Sequence, residues 1–189
     1  DLHFETLRYF HKSIAKKIND LQPDLIFITG DSVNNTDKID ALDTFLQLID
    51  NTIPKYAITG NWEYWGEVDL LKLETMFSKN NCELLINESR SISIKNRSVS
   101  VIGIDDFVGG YPDFQKAVTN LRNTETNIVL THCPQHRDTI VAEKAGLHID
   151  LVLSGHTHGG QISFLGFAPI TPQGSGRYLK GWYTETEPI

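Results

Sequence analysis

Side chains that bind metal ions follow four short apolar segments of the sequence, each at the point where the segment ends. They are Asp31 after residues 25–29, Asn61 after residues 56–59, His132 after residues 127–131, and His156 with His158 after residues 150–154. A fifth pair, Asp1 and His3, opens the sequence. Carboxylate, amide and imidazole donors without sulfur suit Mn, Fe, Zn or Mg.

Each of these residues taken alone also has an ordinary structural interpretation. Gly30-Asp31 is typical of a turn or a helix N-cap, Gly60-Asn61 of a turn, and a single His132 of a hydrogen-bonded structural histidine. The run Gly155-His156-Thr157-His158-Gly159-Gly160 is different, because two histidines among glycines contribute nothing to packing. We therefore expect a metal-binding role for that run.

Alternate residues of an extended chain point to the same side, so Asp1 with His3 and His156 with His158 can each present two ligands to one site. The seven donors exceed the four of a tetrahedral zinc site. Two divalent cations, bridged by one carboxylate and about 3.5 to 4 Å apart, would use them all. Such a pair clamps a phosphoryl group and provides hydroxide as a nucleophile at neutral pH, so the predicted reaction is phosphoester hydrolysis.

The elements that must position these donors alternate along the chain. Apolar runs predict strands at residues 25–29, 56–59, 83–86, 98–104, 127–131, 150–154 and 178–183. Apolar residues at helical spacing predict helices between Leu7 and Ile18, Leu42 and Ile49, Val68 and Phe77, Ala117 and Leu121, and Ile140 and Ala145. This alternation favours an α/β fold whose reactive loops lie at the carboxyl ends of the strands. At 189 residues and without a linker, the chain is expected to form one domain.

Composition restricts the partners. Lys and Arg number 17 against 24 Asp and Glu, and the resulting net charge of −7 does not favour a nucleic-acid partner. No apolar run approaches the ~20 residues of a membrane-spanning helix. The remaining histidines, His11, His136 and His148, are expected on helix or loop surfaces, and Cys133 is expected to be a small buried packing residue.

The order Asp1-x-His3, Gly30-Asp31, Gly60-Asn61, His132, His156-x-His158 resembles the calcineurin-like metallophosphoesterase superfamily over essentially the whole chain. The strings GNWEYWG, LTHCP and GHTHGGQ look most like its bacterial phosphodiesterase branch. The resemblance implies two mixed β-sheets packed face to face and flanked by helices, and a first strand that precedes Asp1. It also implies two divalent ions, with Mn favoured, and assigns ligands to each. Asp1, His3 and His158 would hold one ion, Asn61, His132 and His156 the other, and Asp31 would bridge; Asp31, Asn61 and His132 would be catalytic.

One position departs from the family pattern, because Trp62 stands where the motif Gly-Asn-His-Glu/Asp has histidine. An indole has no proton that titrates near neutral pH, so it cannot serve as the general acid for a poor leaving group. The expected substrates are phosphodiesters or pyrophosphates, including nucleotide or lipid-linked pyrophosphates and other phosphorylated small molecules, with Trp62 as a substrate-binding candidate. The alternative is a degenerate member that keeps its metals and acts as an interaction scaffold. A phosphatase acting on proteins is the least favoured function.

Overall fold

The computed structural model describes residues 1–121, 126–143, 146–160 and 171–184. Within these ranges it contains six α-helices and seven β-strands. The helices are α1 (Tyr9–Leu21), α2 (Ile39–Leu46), α3 (Asn61–Trp65), α4 (Leu70–Lys79), α5 (Phe114–Val118) and α6 (His136–Glu143). The strands are β1 (Ile26–Thr29), β2 (Lys55–Ile58), β3 (Cys82–Leu84), β4 (Glu88–Ile94), β5 (Arg97–Gly103), β6 (Thr126–Leu130) and β7 (Leu151–Leu153).

The strands form two sheets. The first has the order β1-β2-β3, with Phe27 opposite Tyr56 and Ala57 opposite Leu84, and both of its pairings are parallel. The second has the order β4-β5-β6-β7; β4 is antiparallel to β5, and the other two pairings are parallel. The expected fold of two packed sheets with flanking helices is confirmed, except that the first sheet is purely parallel among the described residues.

Apolar side chains fill three layers between and outside the sheets. The layer between the sheets comprises Tyr56, Ile58, Leu85, Val101 and Leu130. A second cluster packs α1, α2 and α4 on the outer face of the first sheet, and a third packs α5 and α6 on the outer face of the second. Helices therefore cover both outer faces, as is usual for parallel strands. The loops that carry the predicted donors follow the carboxyl ends of these strands.

Three elements differ from the prediction. Strand β4 was not predicted, because the run Ser91-Ile92-Ser93-Ile94 carries too little apolar surface to stand out. Helix α3 was expected to be a loop. The strand predicted at residues 178–183 is absent; instead the Tyr183 hydroxyl accepts hydrogen bonds from the backbone N–H groups of Leu179 and Lys180, at 2.8 and 3.3 Å.

The predicted helical residue Ala145 lies outside the described residues. Among those that are described, no helix has the length and apolar character needed to cross a membrane.

Candidate metal centre

All seven predicted donors lie together at one edge of the paired sheets. Asp31 follows β1, Asn61 begins the helix after β2, His132 follows β6, and His156 and His158 follow β7. The segment that carries Asp1 and His3 runs beside the loop after β1, where the backbone N–H groups of His3 and Phe4 donate to the carbonyl oxygens of Asp31 and Ser32, each at 2.8 Å. Loops from both sheets and the segment of residues 1–4 therefore meet at this edge. The expected extended backbone is wrong at His3, His156 and His158, which have φ values of +41°, +70° and +50°.

Two glycines allow the loops to approach so closely. Gly30 has a φ of +88°, and a Cβ there would lie 2.7 Å from His132 Nδ1 and 2.8 Å from the Cα of Gly60. A Cβ on Gly60 would lie 2.4 Å from Asp31 Oδ1. Any side chain at either position would push the loops carrying Asp31, Asn61 and His132 apart.

The first group of donors consists of Asp1, His3, Asp31 and His158. His3 Nε2 lies 3.2 Å from His158 Nε2 and 3.5 Å from Asp31 Oδ2. The two imidazole rings are stacked with centroids 5.1 Å apart. The backbone N–H of His156 donates to Asp1 Oδ1 at 2.8 Å, which ties Asp1 to the loop after β7.

The second group consists of Asp31, His132 and His156, joined by the side-chain oxygen of Asn61. His132 Nε2 lies 3.2 Å from Asn61 Oδ1, from His156 Nδ1 and from Asp31 Oδ2. Asp31 thus belongs to both groups, the position that the resemblance assigned to a bridging carboxylate. Asp31 and His132 are buried, so the site presents few of these atoms directly to bulk water.

The outer nitrogens of the second group determine its tautomers. His132 Nδ1 lies 2.7 Å from the carbonyl oxygen of Thr29, and His156 Nε2 lies 2.7 Å from that of Gln173. A carbonyl oxygen only accepts, so both outer nitrogens are assigned the proton and the inner nitrogens of the neutral rings carry lone pairs. Two lone pairs facing each other at 3.2 Å repel unless a cation lies between them, as in a metal site whose ligands are oriented by outer hydrogen bonds.

His3 follows the same rule in the first group. Its Nδ1 lies 2.6 Å from Asn34 Oδ1, which leaves Nε2 unprotonated in the neutral ring and turned towards His158. Asn34 had no predicted role. Nitrogen and oxygen donors with lone pairs directed inwards fit divalent cations of intermediate hardness.

The protonation equilibria agree with a cation site. In the metal-free chain burial would raise the pKa of Asp31, but the hydrogen bond and charge of a protonated His132 outweigh burial, so the pKa lies below its ordinary value. A bound cation would take the place of that proton and leave His132 as the neutral ring described above. Burial lowers the pKa of both His156 and His158. A carboxylate and neutral imidazoles are the forms that bind metals.

Backbone strain also concentrates here. His3, Asp31, His156 and His158 have φ values between +41° and +70°, a left-handed conformation that residues with a Cβ adopt at a cost. Strain of this kind persists where surrounding contacts hold it, and it clusters at functional sites.

Trp62, the predicted substrate-binding residue, stands at the rim of the centre. Its backbone N–H donates to Asp31 Oδ1 at 2.9 Å, while its side chain is 40% exposed. The indole makes edge contacts with the ring of His3 and with Trp65, each with centroids 5.9 Å apart. It therefore borders the first group without supplying a donor to it.

Glu63 was missed by the sequence interpretation although it organises two of the ligand loops. Its buried carboxylate accepts four backbone N–H groups, those of Asp31, Ser32, Val33 and Gly60, at 2.6 to 3.3 Å. Burial raises the pKa of Glu63, and the four N–H donors oppose that shift because they favour the carboxylate. Its sequence signal was the spacing Gly60-x-x-Glu63, which is that of a helix capping box.

His136, Cys133 and His148 were not predicted to be donors, and the structure places none of them among the donors. The prediction of a surface position for His136 is wrong: the ring is buried, stacks on Phe107 at 4.8 Å and lies 3.1 Å from Thr131 Oγ1. A strand-to-helix junction carries it inwards. Cys133 is buried, and burial raises the pKa of its thiol, which donates to Asp106 Oδ1 at 3.3 Å. The side chain of His148 is 81% exposed.

The fold and the converging donors define an α/β protein with a candidate metal centre at the carboxyl ends of its strands. The sequence profile of the calcineurin-like phosphoesterase family matches residues 1–160, and the chain belongs to that family.

Relatives and solved structures agree with this assignment. The chain is 32% identical over 166 residues to the uncharacterized metallophosphoesterase YkoQ of Bacillus subtilis, covering 86% of this chain and 60% of YkoQ. It is 31% identical over 176 residues to an uncharacterized metallophosphoesterase of Aquifex aeolicus, covering 88% of this chain and 64% of that protein. This chain thus spans less than two thirds of the length of these relatives.

The fold is similar to those of the sulfate thiohydrolase SoxB of Thermus thermophilus and the NAD nucleotidase NadN of Haemophilus influenzae. The TM-scores are 0.53 and 0.52, at 18% and 14% identity. Each alignment covers 78% of this chain, with 33% of SoxB and 32% of NadN.

Proposed function

We propose that this protein is a metal-dependent phosphoesterase with two divalent cations. Asp1, His3 and His158 hold one cation, Asn61, His132 and His156 hold the other, and Asp31 bridges them. The observation that carries the proposal is the 3.2 Å distance between His132 Nε2 and His156 Nδ1 beside a buried carboxylate, in two rings whose outer nitrogens both face carbonyl oxygens. Mn is the favoured metal, with Fe, Zn and Mg as alternatives.

The bound cations would supply Lewis-acid stabilisation of the phosphoryl oxygens and a nucleophile at neutral pH. The chain's own residues hold the geometry. The carbonyl oxygens of Thr29 and Gln173 orient His132 and His156, and the N–H of Trp62 fixes one oxygen of Asp31. Burial of Asp31, Asn61, His132 and His156 lowers the local dielectric constant and strengthens the electrostatic interactions made with a phosphoryl group.

Phosphodiesters and pyrophosphates are the proposed substrates. The Trp62 side chain contacts the ring of His3. At position 62 the family motif carries a histidine that helps to protonate the leaving group. General acid catalysis contributes about 10²- to 10⁴-fold, so its loss slows reactions with poor alkoxide leaving groups most. A pyrophosphate needs little protonation of its leaving phosphate and tolerates the loss best.

The exposed ring of Trp62, with Trp65 beside it, forms an aromatic wall next to the centre. Such a wall can stack on a nucleobase or line an apolar group of the substrate. We propose that it contacts the part of the substrate beyond the phosphoryl group.

The test is to measure initial rates on bis(p-nitrophenyl) phosphate and p-nitrophenyl phosphate with manganese-loaded protein. We expect faster hydrolysis of the diester, loss of at least 10³-fold in Asp31→Ala, and a gain in Trp62→His that is larger for substrates with poorer leaving groups. Trp182→His is the matched control, because it makes the same change at a tryptophan that is 81% exposed and belongs neither to the donors nor to the aromatic wall; its rates should stay within about threefold.

The scaffold alternative has its own signature in this experiment. If two metal ions bind per chain but neither the native protein nor Trp62→His turns over these two substrates or a nucleotide pyrophosphate, the protein is a metal-containing scaffold and not a hydrolase. Absence of metal binding would reject both functions.

A further inference from the structure

Helix α1 carries an outer face that the fold does not use. Its inner side packs on the first sheet through the buried Ala15 and the partly buried Ile14 and Ile18. Two aromatic residues of its first turn, Tyr9 and Phe10, are 86% and 67% exposed. Side chains of this size exposed side by side indicate a binding surface more often than scattered apolar residues do.

Cations surround the two aromatic residues. We define the α1 face as Arg8, Tyr9, Phe10, Lys12, Lys16 and Lys17, all of which are exposed. Residues 8–21 carry four cations and a single acid, Asp20, in a chain whose net charge is −7. Positive charge is thus concentrated on this helix of an acidic protein.

Little of this charge is neutralised within the protein. Lys16 pairs with Asp20 at 2.6 Å, and both side chains are more than half exposed, so water screens the pair. In the described ranges no ion pair is found for Arg8, Lys12 or Lys17. The cations are therefore available to an external anion.

We propose that the α1 face docks on an anionic lipid bilayer. A helix that combines aromatic residues with lysines lies in the membrane interface, where the rings enter the headgroup region and the cations contact anionic lipid. A polyanion without an apolar layer would leave Tyr9 and Phe10 exposed to water, so the lipid surface accounts for both components of the face. This proposal does not depend on the proposed phosphoesterase function.

The first turn of α1 lies at the same end of the molecule as the candidate metal centre. The ring of His11 packs on Phe4 with centroids 4.4 Å apart, and Phe4 follows His3 directly and binds the loop after β1. The α1 face therefore begins near the segment that carries two of the candidate donors, Asp1 and His3.

The experiment is co-sedimentation of the full chain with vesicles of phosphatidylcholine and phosphatidylglycerol at 3:1, compared with pure phosphatidylcholine. We expect binding to the anionic vesicles that weakens when salt is raised from about 0.1 M to about 0.5 M. Both Tyr9→Ser/Phe10→Ser and Lys12→Glu/Lys17→Glu should weaken it by roughly tenfold or more.

Matched controls separate the face from general surface changes. Leu71→Ser replaces a 77% exposed residue of α4, and Lys79→Glu/Lys116→Glu makes the same charge change on two other helices; both should bind vesicles like the native chain. Native binding that is absent or independent of lipid charge, or equal losses in the controls, would overturn the proposal. Self-association without vesicles that the α1 variants abolish would assign the face to a second copy of this chain instead.

Discussion

At the scale of single residues, the most informative side chain of the centre is one that supplies no donor to it. Glu63 accepts N–H groups from two loops, with Ser32 and Val33 on one oxygen and Asp31 and Gly60 on the other. One carboxylate therefore sets the distance between the bridging candidate Asp31 and the helix that begins with Asn61. Both carboxylate oxygens of Glu63 accept hydrogen bonds in a buried place. A protonated carboxyl group or a side-chain amide could not accept all four of these bonds in any orientation.

The substitution Glu63→Gln tests this role. The amide nitrogen would face backbone N–H groups, leaving donors unsatisfied in a buried place, so we expect a loss of about 2 to 3 kcal/mol in the free energy of unfolding. We also expect weaker metal binding, measured by titrating the metal-free protein. Glu67→Gln, an exposed change just beyond the same helix, should alter neither quantity; equal effects of the two would disprove the positioning role.

The buried His136 predicts a pH dependence of stability. Burial lowers its pKa to about 4 from the ordinary 6.5, so between these values the unfolded chain binds a proton that the folded chain does not. The folded state therefore loses stability as the pH falls through this window. From pH 7 to pH 5 the loss attributable to His136 is about 2 kcal/mol.

Urea unfolding of metal-free His136→Gln at both pH values measures that contribution. The difference in unfolding free energy between pH 7 and pH 5 should shrink by about 2 kcal/mol relative to the native chain. His148→Gln removes an exposed histidine and should leave the difference unchanged. If the two variants behaved alike, burial of His136 would not be the source of acid sensitivity.

At the scale of elements, two glycines with nearly the same φ allow steric contact to be separated from backbone conformation. Gly30 and Gly146 have φ values of +88° and +87°, but a Cβ on Gly146 meets no atom of the described residues within 4 Å. Gly146→Ala should cost only the left-handed conformation, about 1 to 2 kcal/mol. Gly30→Ala adds collisions with His132 and Gly60, and we expect a loss at least about 2 kcal/mol larger, together with impaired metal binding. Equal losses in urea unfolding would show that the loops can separate without cost.

The elements that the sequence predicted well are those with a strong local pattern. Strands β1, β2 and β6 are short and largely apolar, and α1 and α4 have clear helical spacing, so local composition identified them. Strand β4 alternates serine with isoleucine at a sheet edge, and its existence depends on pairing with β5. The strand predicted at residues 178–183 does not form although its local pattern is apolar and aromatic: the Tyr183 hydroxyl accepts backbone N–H groups of the same segment, and the Tyr178 hydroxyl donates to Asp138.

Five of the seven candidate donors were found in the sequence because they follow apolar strands, and Asp1 and His3 were found from their i, i+2 spacing at its start. Their supporting contacts were not, because they depend on pairs that are distant in the chain. Asn34 meets His3 across 31 positions and Gln173 meets His156 across 17. No local pattern encodes such pairs, since loop geometry determines them.

At the scale of the whole molecule, the candidate centre joins the two sheets. Asp31 and Asn61 come from loops of the first sheet, and His132 and His156 from loops of the second. Cations bound by both sets would link the sheets at one edge. Metal binding should therefore stabilise the folded chain, by about 2.7 kcal/mol at a free concentration of 100 times Kd.

Thermal unfolding with excess Mn²⁺ and with a chelator measures this linkage. We expect a higher Tm with metal in the native chain and a much smaller difference in Asp31→Ala, which removes the shared carboxylate. A chelator that leaves the Tm of the native chain unchanged would contradict metal binding across the sheets.

The contact between His156 and the carbonyl oxygen of Gln173 has a consequence for biosynthesis. Every donor is already present once the ribosome has synthesised residue 158, but the imidazole of His156 receives its orienting partner only when residue 173 has emerged. The nascent chain therefore passes through a stage with all its donors and an incompletely oriented centre.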